Sequence, residues 1–202
     1  MIRIFEDLIL IIEEYSKDYD VFVGVDAPLF VDNETGNRDI EKAFLKDFST
    51  YKIGMLPVNR TLLLRQFGFI KGEELYLKLK ASGFTFGCAH QKNIVEVYPH
   101  STIAVLFNNN AILPYKRKNG RNVDDVRKAL IIYQGYLKSV INEHSIFDVN
   151  ILMLKGKGLK EYEDKLDAIV SAYTLYYYQI NPQKCKVYKG ESGAIFITPF
   201  PS

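Results

Sequence analysis

The run Val21-Phe22-Val23-Gly24-Val25, followed at once by Asp26-Ala27-Pro28, constrains the fold more than any other part of the sequence. Short apolar, β-branched runs are typical of strands that a parallel sheet buries on both faces. Pro28 cannot continue the strand's hydrogen bonding. Apolar residues precede the run at helical spacing, namely Ile4, Leu8, Ile11, Ile12 and Tyr15. A helix leading into a buried strand indicates an α/β fold and places Asp26 at the strand's carboxyl end.

Helical and strand-like segments alternate along the rest of the chain. The predicted helices contain Ala43 to Phe48, Thr61 to Gly68, Glu73 to Gly83, Ser101 to Phe107 with Ser101 as cap, a long segment after Asn122, and Lys160 to Ile180. The predicted strands are Ile94 to Tyr98 and Ala194 to Thr198, with a further one near Phe147 to Leu154. This alternation predicts a single α/β domain over residues 1–202, with a partly parallel sheet.

Composition excludes several classes of protein. The 202 residues include 26 Lys and Arg against 24 Asp and Glu. The overall charge therefore does not indicate a nucleic-acid or membrane partner. A charged partner would have to bind to a local charged patch. No apolar run approaches the length that spans a membrane, and we expect no membrane partner. Cys88 and Cys185 lie far apart without metal-ligand spacing. Together with the absence of an export signal, this predicts a reducing, cytoplasmic location.

Acidic residues fall where an α/β sheet places its reactive crevice, outside the carboxyl ends of the strands. Asp26 ends one predicted strand, and Glu96 lies within another just before Pro99. Asp164, Asp167 and Ser171 are spaced i, i+3, i+7 and form one polar stripe on a largely apolar helix. Buried carboxylates need a partner, because an unpaired one costs several kcal/mol or neutralises.

A divalent cation is one such partner. Carboxylates from several elements, without cysteine, are the oxygen ligands that Mg²⁺ or Mn²⁺ prefers. A pair of these ions can polarise water and stabilise the attacking and leaving oxygens of a phosphodiester. We therefore expect Asp26, Glu96 and Asp167 as metal ligands, and these three with Asp164 as catalytic residues.

A basic loop between Leu113 and Arg121 supplies a candidate substrate-binding surface. Its cations Lys116, Arg117, Lys118 and Arg121 are suited to a phosphate backbone, and Tyr115 is available to stack on a base. We therefore expect DNA or RNA as partner.

Each of these residues also has a purely structural reading. Asp26 is suited to an Asx turn, and Glu96 to a solvent-facing position in a strand. Asp164 and Asp167 lie in the first turns of a helix, where acids interact favourably with the helix dipole. The basic loop reads equally as a solvated turn, and His100 as a core or loop residue.

Five blocks of the sequence resemble, in order, those of a family of predicted nucleases, domain of unknown function 429. The blocks are Val23 to Leu29, Arg38-Asp39, Val95 to His100, Leu113 to Lys116 and Asp164 to Val170. The resemblance implies a ribonuclease-H-like fold, a mixed sheet flanked by helices, and a metal-dependent phosphodiesterase site. It implies Asp26, Glu96 and one or both of Asp164 and Asp167 as the acids, with Arg38 near the substrate.

One departure from the family concerns the first strands. Members begin with a strand bearing a Gly-Ile-Asp-Gly-like block and a hairpin, whereas this sequence begins in the helix that precedes Asp26. Three explanations stay open: a shortened start, loss of the strands with a metal ligand, or substitution by Phe147 to Leu154 with Asp148 as the acid. Missing strands leave a sheet edge uncovered, which predicts a homodimer.

Three functional hypotheses follow, in decreasing order of support. The first is a divalent-metal nuclease acting on DNA or RNA. The second is a catalytically silent nucleic-acid-binding module that retains the basic loop. The third is a small-molecule phosphotransferase, because the ribonuclease-H-like fold is related to that of sugar kinases and actin; the missing glycine-rich phosphate loop disfavours it.

Overall fold

The computed structural model describes residues 2–87, 91–118, 120–142, 145–191 and 193–201, with side chains from residue 5 onward. Cys88, on which part of the composition argument rests, lies outside these residues. The helices are α1 (Ile2–Tyr15), α2 (Asp39–Asp47), α3 (Arg60–Phe67), α4 (Lys71–Ala81), α5 (Pro99–Phe107), α6 (Val123–Lys138) and α7 (Gly156–Ile180). The strands are β1 (Val21–Val25), β2 (Thr85–Phe86), β3 (Lys92–Val97), β4 (Cys185–Lys189) and β5 (Ile195–Pro199).

The strands form one mixed sheet in the order β1-β3-β5-β4, with β2 beside the first half of β3. β1 and β5 run parallel to β3, and β4 runs antiparallel to β5. The predicted α/β class with a partly parallel sheet is therefore confirmed. None of the described helices is both long enough and apolar enough to cross a membrane.

Local sequence signals explain several of the helix boundaries. The Asn59 side chain accepts a hydrogen bond from the Leu62 N–H at the start of α3, and Gly68 ends that helix in the left-handed conformation. Asn122 begins α6 in the same way. The prediction that Ser101 caps α5 is wrong, because Pro99 already occupies the first turn and the Ser101 hydroxyl bonds the Tyr98 carbonyl.

The segment from Phe147 to Leu154 is not a strand, so that prediction is also wrong. It contains parts of two 3₁₀ turns, Ser145–Phe147 and Ile151–Met153. Phe147 and Ile151 are buried against α6 and α7, while Asp148 is exposed. The apolar residues that resembled a strand serve this small core, and Asp148 contributes no acid to the sheet.

The first strand differs from its prediction in one respect. All five residues of β1 are half-buried rather than buried, because β1 lies at the edge of the sheet. In the described part of the chain no strand pairs with its outer side. Unpaired edges favour association. The homodimer stays a prediction, which light scattering tests.

Helix α7 packs on β1 closely enough to set the position of its acids. A Cβ at Gly24 would lie 2.6 Å from the Ser171 carbonyl oxygen, so only glycine permits this approach. In the parallel register Val25 is paired with Glu96. Asp167 lies one turn before Ser171, and Asp26 follows Val25. The acids of β1, β3 and α7 are therefore brought to the same edge of the sheet.

Candidate active site

A pocket of about 550 Å³ lies outside the carboxyl ends of β1 and β3. The residues that line it include Asp26, Arg38, Glu96, Tyr98, His100 and Lys116. In an open α/β sheet, this is the position where ligands bind. Within it the acids belong to two separate groups with different surroundings.

The first group, here called the closed cluster, consists of Glu96, Arg38 and Glu41, all of them buried. Arg38 binds Glu96 with two parallel hydrogen bonds, Nη1 to Oε1 at 2.8 Å and Nη2 to Oε2 at 2.7 Å. Its Nε donates to Glu41 at 3.0 Å. The backbone N–H of Leu29 also donates to Glu96 Oε1, at 2.8 Å. Both oxygens of Glu96 are therefore occupied by protein donors.

The second group, here called the open cluster, consists of Asp26, Lys116 and Asp167, with Tyr115 and Tyr133 behind Asp167. The Lys116 ammonium lies 3.1 Å from Asp167 Oδ2 and 3.8 Å from Asp26 Oδ2. Asp26 accepts no hydrogen bond within the part of the chain described, and its side chain is 36% exposed. A carboxylate offers about four lone-pair positions. Asp26 is thus the acid of this site with the most capacity left for a ligand.

Two tyrosines hold Asp167 from behind. The Tyr115 and Tyr133 hydroxyls donate to Asp167 Oδ1, at 2.8 and 3.0 Å. Burial, and next the charge of Asp167, raises the pKa of both phenols, so they stay protonated donors. Asp167 therefore has Oδ1 directed into the protein and Oδ2 towards Lys116 and Asp26.

His100 supports this arrangement through Tyr115. Its Nδ1 lies 3.2 Å from the Tyr115 hydroxyl oxygen. Because Tyr115 gives its single proton to Asp167, Nδ1 of His100 carries a proton and donates to Tyr115. Burial, together with the positive charges of Lys116, Lys118 and Arg121, lowers the pKa of His100 to about 4. His100 is therefore a neutral core residue, in line with its structural reading.

Asp26 has a shifted pKa for a different reason. Desolvation by the surrounding protein raises it to about 6; Lys116 opposes this rise and Asp167 adds to it. A carboxyl group with a pKa near neutrality, at the mouth of a pocket, is suited to proton transfer.

The predicted site residues therefore lie in different places and have different partners. Asp26 and Asp167 meet at Lys116, whereas Glu96 is bound by Arg38. Asp164 lies one turn from Asp167 but is 59% exposed and paired with Lys160. Among the described residues no group of three or more His, Cys, Asp or Glu is placed to hold one metal ion. The ligand set of Asp26, Glu96 and Asp167 is therefore not assembled in this structure.

The basic residues of the loop lie on two adjoining surfaces. Lys116, Lys118 and Arg121 line the pocket, while Arg117 lies on an adjoining surface with Lys118 and Arg121. Tyr115 is fully buried, so the prediction that its ring stacks on a base is wrong. Its hydroxyl is needed at Asp167 instead.

Several functional residues were not found from the sequence. Tyr133 lies on the apolar face of α6, where nothing distinguishes it from a packing residue. Glu41 pairs with Arg38 at helical spacing, a weak signal that could have been noticed. Pocket residues from the segment after α2, such as Met55 and Leu56, have no sequence signal.

An open mixed sheet, with a pocket of acidic and basic side chains at the carboxyl ends of its parallel strands, is the architecture of an α/β protein. The family model described as a protein of unknown function, DUF429, matches residues 2–187. The chain belongs to this family. No curated protein and no solved structure matches the chain.

Proposed function

We propose that this DUF429 protein is a divalent-metal-dependent nuclease of the ribonuclease-H-like superfamily. The observation that carries the proposal is the approach of Asp26 and Asp167 to a single cation, the Lys116 ammonium. Asp26 and Lys116 line the pocket together with the basic residues Lys118 and Arg121. Two carboxylates, one after a strand end and one on a helix, supply the oxygen ligands that a hard cation prefers.

Asp26 and Asp167 fit one Mg²⁺ or Mn²⁺ ion, and Glu96 does not. The Lys116 ammonium stands where such an ion would lie, and Asp26 has open acceptor positions. Glu96 has both oxygens occupied by Arg38 and the Leu29 N–H. Asp26 and Asp167 would hold the ion, and the chemistry it supplies when bound is activation of water and neutralisation of phosphate charge.

The remaining roles belong to side chains of the protein. With no ion bound, the Asp26 carboxyl group has a pKa of about 6, which suits it to exchange a proton with water in the pocket. Lys116, Lys118 and Arg121 hold the phosphate and offset its charge. Tyr115 and Tyr133 orient Asp167. The closed cluster keeps Leu29 and the chain after Asp26 in place through the Glu96 hydrogen bond.

The proposal is tested by titrating Mn²⁺ into the protein and its Asp26→Asn and Asp167→Asn variants, followed by cleavage of labelled single-stranded DNA and RNA. We expect saturable binding that both variants lose, and cleavage reduced at least about 100-fold, as for loss of a catalytic group. Asp125→Asn, which changes an exposed acid on α6, is the matched control. Equal Mn²⁺ binding by all four proteins would contradict the proposal.

One observation favours a second function, a nucleic-acid-binding module without catalysis. Lys116 already offsets one of the two carboxylate charges of Asp26 and Asp167, and Lys118 and Arg121 add positive charge to the same pocket without a metal ion. This module would bind nucleic acid in a salt-dependent manner and lose that binding in a Lys116→Glu, Arg121→Glu double variant. The nuclease and the module are separated by cleavage, which only the first predicts.

A further inference from the structure

The rim of the pocket combines an apolar and a basic part. The segment after α2 contributes Met55 and Leu56, and Leu56 is 77% exposed. The segment before α6 contributes Ile112, itself 38% exposed, to the same pocket. The Tyr98 hydroxyl donates to the Gly54 carbonyl at 2.9 Å, which holds the Met55 and Leu56 segment at the pocket. Exposed apolar side chains gathered at a pocket mark a binding surface.

The basic part of the rim carries charge that the protein does not neutralise. Within the described residues, Lys118 and Lys52 make no ion pair, and both line the pocket. In the part of the chain that the structure describes, the Arg121 guanidinium donates to the Lys116 carbonyl oxygen and to no carboxylate. These cations line the same pocket as Asp26, whose negative charge is partly offset by Lys116. An anionic group at the rim would therefore meet unpaired cations.

The size of the pocket limits what occupies it. Its volume of about 550 Å³ lies within the range of small-molecule sites, which is roughly 300–1,000 Å³. A duplex would instead need a surface that follows many phosphates. A molecule that joins one phosphate to one flat apolar group matches both the basic and the apolar part of the rim.

We propose that this pocket binds a single nucleotide, with its base against Met55, Leu56 and Ile112 and its phosphate at Lys118 and Arg121. The nucleotide is either a free nucleoside monophosphate or the terminal nucleotide of a single strand. The proposal rests on the proposed function, because it assigns a substrate class to the same site.

Calorimetric titration of uridine 5′-monophosphate, without metal ion, tests the proposal. We expect saturable binding, at least about tenfold tighter than that of uridine or inorganic phosphate, because each of these lacks one half of the ligand. A 5′-phosphorylated oligouridylate, added as competitor, distinguishes the two sources. Displacement of uridine 5′-monophosphate by the oligonucleotide indicates a strand end, and the absence of displacement indicates a free nucleotide.

Two variants at exposed positions test the two parts of the rim separately. Leu56→Asp and Lys118→Glu are each expected to weaken binding of uridine 5′-monophosphate at least tenfold. Leu152→Asp and Lys128→Glu make the same changes at exposed positions outside the pocket and are expected to have no effect. All four positions are exposed, so the fold tolerates the changes.

The possible results separate this inference from the proposed function. Cleavage of an oligonucleotide without binding of uridine 5′-monophosphate would overturn the inference and leave the nuclease in place. Binding that both rim variants weaken, without cleavage under any metal, would support the inference and overturn the nuclease. Binding that Leu56→Asp and Lys118→Glu leave unchanged would overturn the inference.

Discussion

The closed and open clusters lie at the same edge of one sheet and differ in how far the protein satisfies their acids. Glu96 has both oxygens bound by Arg38 and the Leu29 N–H. Asp26, at the end of the neighbouring strand, accepts no hydrogen bond from the described residues and faces a shared lysine at 3.8 Å. Two acids at the same edge of the sheet therefore differ: Glu96 is fully bound by protein groups, and Asp26 is not.

The difference follows from the partners each acid meets. A guanidinium binds a carboxylate in a fixed, bidentate geometry, whereas an ammonium is a point charge on a flexible stem. Arg38 therefore makes Glu96 a structural tie between α2 and β3. Lys116 contacts Asp26 and Asp167 through a single ammonium group, without the paired hydrogen bonds that fix Glu96.

The largest effect is expected in the closed cluster. Glu96→Gln leaves the Arg38 guanidinium buried with reduced compensation, which costs about 3–5 kcal/mol of unfolding free energy. Urea denaturation measures this loss. Glu73→Gln is the matched control, because Glu73 binds an arginine and the Val31 N–H at a half-exposed site; we expect about 1 kcal/mol there. Equal losses in the two variants would contradict the distinction between the clusters.

His100 is expected to make the open cluster sensitive to acid. The pKa of His100 is lowered to about 4 in the folded protein, whereas unfolded histidine has a pKa near 6.5. The unfolded state therefore takes up the proton first, and the protein loses up to about 3 kcal/mol as the pH falls from about 6.5 to 4. His100→Gln removes this contribution, which urea denaturation at several pH values measures. An unchanged acid sensitivity in the variant would contradict the assignment.

Asp26 is expected to change stability with pH in the direction opposite to His100. Its pKa is about 6 in the folded protein and 3.8 as the ordinary value, so the fold disfavours its ionised form. Asp26 thus contributes stability below about pH 4 that is lost as the pH rises through about 6. Asp26→Asn does not titrate and is expected to exceed the wild type in stability above pH 6. The gain is small, because the partly exposed side chain is screened by solvent. A less stable variant at pH 8 would indicate that Asp26 is a structural residue.

The smallest effect is expected at Asp164. Its carboxylate is 59% exposed and pairs with Lys160 on the surface of α7. Asp164→Asn should therefore change Mn²⁺ affinity and cleavage by less than about twofold, as for other screened surface charges. A loss equal to that of Asp167→Asn would show that both acids of α7 act together.

Much of the fold could be predicted from local pattern. The apolar run of β1 and its end at Asp26, the helical spacing of α1 and α6, and the cap at Asn122 depend on residues close in sequence. The error at Phe147 to Leu154 has the same origin, because a short apolar run packed in a small core has the composition of a strand. β1 was predicted as buried because its sequence does not show whether a neighbour covers its outer edge.

The sequence predicted the acids of the candidate site and several of its basic residues, but not the contacts between them. Asp26, Glu96 and Asp167 were found because strand ends and one helix face bring them to the same edge. Their partners depend on contacts between distant residues: Arg38 and Glu96 are 58 positions apart, and Tyr115 and Asp167 are 52 apart. No local signal reports such pairs.

The sequence by itself determined most of the helices, the strands β1, β3 and β5, the α/β class and the acids that gather at one edge of the sheet, because hydrophobic periodicity and capping are local properties. Only the tertiary structure decided which acid is tied to an arginine, which one shares a lysine, and that Tyr115 is buried. Those outcomes depend on packing between segments far apart in the chain, where burial and the available partner decide the charge and hydrogen bonding of each group.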